Sequence, residues 1–111
     1  MDRKDGAEAL VRIACIQMEP RVGSKEANVA KSLELIERAA DQGAKLVVLP
    51  ELANSGYVFE SREEAFELAE AIPGGPTVEA WMEVARRRGL YLSAGIAAAV
   101  KAFYAQSYPD L

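Results

Sequence analysis

Apolar residues in this chain follow two rhythms: short unbroken runs, and faces spaced three and four residues apart. The run "RIACIQM", residues 12–18, is short, β-branched and mostly apolar, and Pro20 follows it; this predicts a buried strand. After the loop "EPRVG", Ser24 is placed to cap a helix whose apolar positions Val29, Leu33, Ile36 and Ala40 fall on one face. Gly43 is suited to end that helix in a left-handed conformation. "KLVVL", residues 45–49, is apolar at every second position and between them, as a strand covered on both faces should be. Strand, helix and strand with short links make a βαβ unit, which requires parallel pairing and a right-handed crossover. Pro50 has no amide proton and restricts Leu49, so it ends the ladder.

The pattern continues through the loop "ANSGYVFE". Ser61-Arg62-Glu63-Glu64 then fits a capping box and predicts a second helix with an inner face of Ala65, Phe66, Leu68, Ala69 and Ile72. Its acidic residues Glu63, Glu64, Glu67 and Glu70 are expected to form a solvated face. Pro73-Gly74-Gly75-Pro76 turns the chain; it lacks the lysine and spacing of a phosphate loop. A third helix presents Val78, Trp81, Met82 and Ala85 as its core stripe. Its last turn carries Arg86, Arg87 and Arg88, which suits the negative end of the helix dipole, and Gly89 closes it. "LYLSAGI", residues 90–96, predicts a third strand. The expected organisation is a leader over residues 1–11, an α/β unit over 12–96, and an atypical or truncated tail over 97–111.

Composition narrows the classes of function. A chain of 111 residues, half of them hydrophobic, is expected to form one ordinary globular domain. The net charge of −4, with one basic cluster at a helix end, argues against nucleic acid as a partner. Cys15 is the single cysteine and there is no histidine, so no internal disulfide, no Ser-His-Asp or Cys-His system and no conventional zinc site can be built from this sequence. A polar N-terminus with no long apolar stretch gives no sign of a signal peptide or membrane span, and a reducing, cytoplasmic location is the default.

Candidate chemistry centres on "KLVVLPELANSGY", which places Glu51 just beyond the carboxyl end of a predicted parallel strand. Ligand sites in open parallel sheets form there. A carboxylate partly shielded by apolar neighbours becomes a useful base near neutral pH, and shielding of that kind is expected for Glu51. Pairing with a lysine or capping a loop is the plainer role for the same residue. Tyr57 and Phe59 follow closely enough to line the same pocket, with Tyr57 the better candidate for substrate contact. Asn54 and Ser55 read as turn residues before Gly56, and Gln17 as a residue satisfying backbone groups at the sheet end. Cys15 lies within the first predicted strand, where a buried thiol is expected to act as a small hydrophobe.

The segments "RIACIQMEP", "NVAKSLELIERAADQGAKLVVLPELANSGY" and "GPTVEAWMEVARRRGLYLSAGI" together resemble the start of the carbon–nitrogen hydrolase family: nitrilases, aliphatic amidases and N-carbamoyl amino acid amidohydrolases. The resemblance spans residues 13–96 and is sharpest at "GAKLVVLPEL" followed by "GY". It implies that the chain is the N-terminal portion of a nitrilase-like four-layer αββα sandwich and that Glu51 is a general base. It implies hydrolysis of amide, carbamoyl or nitrile carbon–nitrogen bonds through a Glu-Lys-Cys thioester mechanism without a cofactor. It places Tyr57 in the substrate wall and implies a homo-oligomer, a dimer or larger, with a small-molecule substrate as its partner.

This sequence also departs from the family pattern. The family lysine lies in a basic segment and its cysteine at a later turn; here no cysteine follows Cys15, and Lys101 sits in an alanine-rich stretch unlike the lysine motif. The pattern also drifts after Ile96, as expected of a truncated or altered chain that is inactive alone. The alternative reading is a non-catalytic α/β module binding a small ligand or a protein at its strand tips. A reading frame that continues into a lysine motif and a cysteine separates the enzyme from the module.

Overall fold

A computed structural model describes residues 10–56 and 58–97. Along the chain lie β1 (Ile13–Cys15), α1 (Lys25–Asp41), β2 (Leu46–Val48), α2 (Arg62–Leu68), α3 (Pro76–Arg88) and β3 (Tyr91–Ser93). The strands form a sheet in the order β1-β2-β3 and both pairings are parallel. Ile13 stands opposite Leu46 and Leu46 opposite Tyr91, with Ala14, Val47 and Leu92 forming the next row. Backbone bonds extend the ladders past the strand ends, through Ile16 N to Val48 O (2.8 Å) and Leu49 N to Ser93 O (2.9 Å).

The order of the strands decides where the core lies. Two crossovers of one hand, stepping in one direction across a parallel sheet, put their helices on the same face. Accordingly α1 and α3 pack on each other and on the row Ala14, Val47 and Leu92. Ile36 and Ala39 of α1, Trp81 and Val84 of α3, and Val47 and Leu90 fill the space between. The buried Trp81 indole N–H donates to Ser32 Oγ at 2.9 Å, joining the two helices inside the core. At the rim Glu37 accepts from Arg87 at 2.5 Å and also pairs with Arg88, which reaches Asp41 at 2.8 Å. Hydrogen bonding from Arg87 leads the effects that hold the Glu37 carboxyl below its ordinary value. The arginine run therefore clamps α1 to α3 as well as closing α3, where Gly89 takes the left-handed conformation (φ 65°).

The opposite sheet face is bare among the described residues. Ile13 is 56% exposed and Tyr91 78% exposed, and Cys15 and Ser93 are exposed beside the half-buried Val48. The sequence predicts cover on both faces of residues 45–49; the described residues supply it on one, because both crossovers run on the same side. For the same reason Cys15 is exposed rather than buried.

The helix ends differ in detail from the sequence pattern. Ser24 makes no side-chain cap; it is Ser24 O that accepts, from Asn28 N at 2.9 Å. At α2 the Ser61 half of the capping box forms, Ser61 Oγ accepting from Glu64 N at 3.0 Å, while Glu64 Oε1 reaches one residue further back and accepts from Glu60 N at 2.7 Å. That helix stops at Leu68, since Ala69 is extended (φ −71°, ψ 151°), and the predicted continuation to Ile72 does not occur. Phe66 and Ile72 are exposed instead of facing inward, and Met82 of α3 is exposed while Val84 takes the core position.

Candidate active site

Glu51 follows β2, the central strand, after Leu49 and Pro50. Pairing with the β3 side resumes beyond it: Leu49 N bonds Ser93 O, and the next bond runs from Leu52 N to Gly95 O, each at 2.9 Å. The β2 side thus uses one residue more than the β3 side over this interval. Pro50 and Glu51 therefore form a bulge, a device that re-aims a side chain at a strand end. Gly95 lies alongside it, where a Cβ would stand 3.6 Å from Glu51 Cγ, an ordinary van der Waals distance. Leu52, directly after Glu51, has a left-handed backbone (φ 55°). A side chain in that region costs about 1–2 kcal/mol, so the surroundings must hold it there.

Those surroundings are visible. Leu52 O accepts from Ser55 N (3.2 Å) and Gly56 N (2.9 Å), closing the turn. Ala53, Asn54, Ser55 and Gly56 are all buried, whereas Glu51 is exposed. Gly56 is required twice over: its φ is 77°, and a Cβ would come within 2.7 Å of Val22 Cγ2 and 2.9 Å of Val22 N. The acid thus rides on a fixed, buried turn. The apolar shielding that the sequence predicts for Glu51 is not provided by the described residues, among which Glu51 is exposed.

A polar network underlies the turn. Asn28 of α1 donates from Nδ2 to Arg21 O (2.8 Å) and Asn54 O (2.9 Å), and its Oδ1 accepts from Arg21 N (3.0 Å). Asn54 Nδ2 donates to Glu70 Oε2 (3.4 Å) and Thr77 Oγ1 (3.3 Å). Glu70 is the hub: Oε1 accepts from Thr77 N (2.8 Å), and Oε2 from Thr77 Oγ1 (2.6 Å) and Lys25 Nζ (3.0 Å). The residue read from sequence as part of a solvated face is therefore 5% exposed. Its carboxylate supplies the α3 N-terminus with the acceptor that Gly75 lacks. Burial alone would raise the Glu70 carboxyl, but the hydrogen bonds from Thr77 and Lys25 outweigh it and hold the group below the ordinary glutamate value. The extended Ala69 is what turns Glu70 inward, and Glu70 N then bonds Ala97 O at 3.0 Å. A sequence clue was available: an acid shortly before Pro-Gly-Gly-Pro-Thr can reach back to cap the helix that follows.

Other sequence candidates fall elsewhere. Tyr57 and Lys101 lie outside the described residues, and Phe59 is half-buried. Gln17 is exposed and lines, with Cys15, Arg38 and Gln42, an open hollow of about 230 Å³ along β1 that includes neither Glu51 nor its turn. Among the described residues no group of three His, Cys, Asp or Glu is placed to hold a metal ion, and no helix is long and apolar enough to cross a membrane.

Comparison with known proteins covers the same region. The chain matches the carbon–nitrogen hydrolase family over residues 12–108. It is 49% identical over 88 residues to a nitrilase of Pyrococcus abyssi, covering 79% of this chain and 34% of the relative. It is 41% identical over 85 residues to human omega-amidase NIT2, covering 76% of this chain and 29% of the relative. The zebrafish (Danio rerio) omega-amidase NIT2 is 39% identical over 84 residues, again 76% of this chain and 28% of the relative. The chain spans about a third of the length of the curated relatives it matches. With the parallel sheet, the glutamate beyond its central strand and a match along most of its length, the chain belongs to the carbon–nitrogen hydrolase family.

Proposed function

We propose that Glu51 is the general base of a hydrolase acting on amide, carbamoyl or nitrile carbon–nitrogen bonds, with a lysine and a cysteine supplied by sequence that this chain does not contain. The observation that carries the reading is the mounting of Glu51: a bulge at the end of the central parallel strand, followed by a left-handed residue and a buried turn. Such strand ends are where ligands bind, and a strained, fixed backbone beside an exposed acid is a mark of a working site rather than of a solubilising one.

On an amide the steps balance as follows. Glu51 takes the thiol proton, and the thiolate sulfur bonds to the carbonyl carbon. A lysine cation stabilises the oxyanion, and the carbon–nitrogen bond breaks as the amine takes the proton back from Glu51. Water then gives a proton to Glu51 and attacks the thioester carbon; the carbon–sulfur bond breaks and Glu51 returns the proton to the departing sulfur, releasing the acid and the thiol. Tyr57, following the buried turn, is proposed for the substrate wall. The exposed row of Ile13 and Tyr91, with Leu46 between them, is proposed to lie against a second sheet, completing the four-layer αββα sandwich and shielding Glu51. A full-length structure with that row open to water would remove the sandwich. A cytoplasmic homo-oligomer remains the associated expectation, to be checked by localisation and by mass in solution.

The test is Glu51→Gln in the full-length protein, assayed on a panel of amides, carbamoyl compounds and nitriles. Loss of a general base lowers turnover by about 100- to 10,000-fold, with an unchanged circular dichroism spectrum. Wild-type rates in the variant would take Glu51 out of the mechanism.

A further inference from the structure

We propose that Asn54 is a positioning residue for Glu51, resting on the reading of Glu51 as the base, and that it acts through the Glu70–Thr77 pair. Asn54 is 1% exposed and is gripped from two sides. Its main-chain carbonyl accepts from Asn28 on α1, and its side-chain amide donates to Glu70 and to Thr77 in the first turn of α3. The turn behind Glu51 is thereby tied to both helices of the core layer.

The chemistry fixes the orientation of the amide. The Thr77 hydroxyl gives its proton to Glu70, so its oxygen faces Asn54 as an acceptor. A reversed amide would set Asn54 Oδ1 against the Glu70 carboxylate, acceptor to acceptor. In the observed orientation Oδ1 is buried with no hydrogen-bond partner among the described residues. An orphan buried acceptor is costly, and an apolar side chain of the same shape would have none. The asparagine is therefore held by what its Nδ2 does.

Its leverage comes from Leu52. The left-handed φ of Leu52 is the first rotation after Glu51, and it is maintained by the turn that Ser55 and Gly56 close onto Leu52 O. Releasing Asn54 frees that turn, lets Leu52 relax, and moves the Glu51 carboxylate relative to the strand ends. Glu70 and Lys25 act one step further back, by keeping an ionised acceptor in front of the amide.

The experiment compares Asn54→Ala, Thr77→Val and Thr77→Ser in the full-length protein. For Asn54→Ala, kcat should fall about 100-fold, the effect of a displacement near 1 Å. KM should stay within about threefold, because transition-state positioning rather than uniform binding is lost. Amide exchange at Ser55 and Gly56 should accelerate about tenfold while Val47 on β2 keeps its protection. Thr77→Val should give the same pattern, which serves if Asn54→Ala does not fold, and Thr77→Ser should restore the wild-type values. Unchanged exchange at Ser55 and Gly56 in both variants, or faster exchange with wild-type kcat, overturns the proposal. An inactive Glu51→Gln beside a fully active Asn54→Ala overturns the positioning alone, whereas an active Glu51→Gln overturns the base and the positioning with it.

Discussion

Replacing Glu70 by glutamine tests whether one buried carboxylate holds the site layer together. Glutamine keeps the shape and can still accept from Thr77 N, so the α3 N-terminus loses charge rather than its hydrogen bond; a missing cap costs about 1 kcal/mol and a neutral one less. The larger loss is at Oε2. An NH2 group there faces Lys25 Nζ and Asn54 Nδ2, both donors, and the charge-assisted bond from Lys25 at 3.0 Å disappears. Such a bond contributes about 1.5–3 kcal/mol. Breaking a buried pair can cost about 3–5 kcal/mol, but the Lys25 side chain is 26% exposed and can turn to water, which reduces the penalty. The expected total is about 2–3 kcal/mol, read as a shift of the urea midpoint against Glu67→Gln, an exposed substitution expected to change stability by less than about 0.5 kcal/mol. The pH dependence supplies an independent readout. Because the Glu70 carboxyl is held below its unfolded value, its contribution is complete above the unfolded value of about 4.3 and fades as pH falls toward the folded one. Glu70→Gln should therefore flatten the acid limb of the wild-type stability curve and leave the neutral plateau parallel but lower. Equal midpoints for Glu70→Gln and Glu67→Gln, or an unaltered acid limb, would refute the hub.

Two further substitutions test the layer that carries Glu51. Gly56→Ala should destabilise by about 1–3 kcal/mol, since it adds both a left-handed alanine and a Cβ 2.7 Å from Val22 Cγ2; a midpoint within error of wild type would mean that the turn gives way easily. Trp81→Phe removes the indole bond to Ser32 while Ser32 Oγ keeps its own bond to Val29 O, so a loss of about 1–2 kcal/mol is expected in the same denaturation assay, and no loss would show that the bond is made equally well to water.

How much of this was legible in the sequence follows from the range of each interaction. The extent of α1, the strand over residues 45–49 and the Gly89 stop are set by near neighbours and form close to where the spacing puts them. The buried face of α1, however, is Asn28, Ser32, Ile36 and Ala39, rotated by one residue from Val29, Leu33 and Ala40, which are half-buried, because Asn28 and Ser32 bond to Asn54 and Trp81 in the interior. Glu70 failed on the same logic: at helical spacing from Glu63 and Glu67 it looks solvated, yet the helix ends before it, and its partners Lys25 and Asn54 are remote in sequence. Ile72 is exposed because the helix ends one turn short of its pattern, whereas Phe66, inside the helix, is exposed because α2 presents no buried face to the described residues. The position of Glu51 after the central strand was readable from Pro50 alone. Its bulge was not, because that depends on which β3 carbonyl Leu52 finds.

Fixing Glu51 and sheltering it fall to different parts of the fold. The α1–α3 face is closed among the described residues, and both its helices bond the Glu51 turn, through Asn28 of α1 and Thr77 of α3, with Glu70, Gly95 O and the close approach of Gly56 to Val22 adding to them. The other face leaves Ile13 and Tyr91 exposed, and Glu51, beyond the strand ends, is exposed as well, with no cover from the described residues. A general base needs both a fixed position and a sheltered environment, since position sets the geometry of proton transfer and shelter sets its driving force. In this segment the first is already built and the second is not. The proposed mechanism therefore requires that whatever covers Glu51 brings the nucleophile and the shelter together, so that the acid becomes an effective base only where there is a thiol to deprotonate.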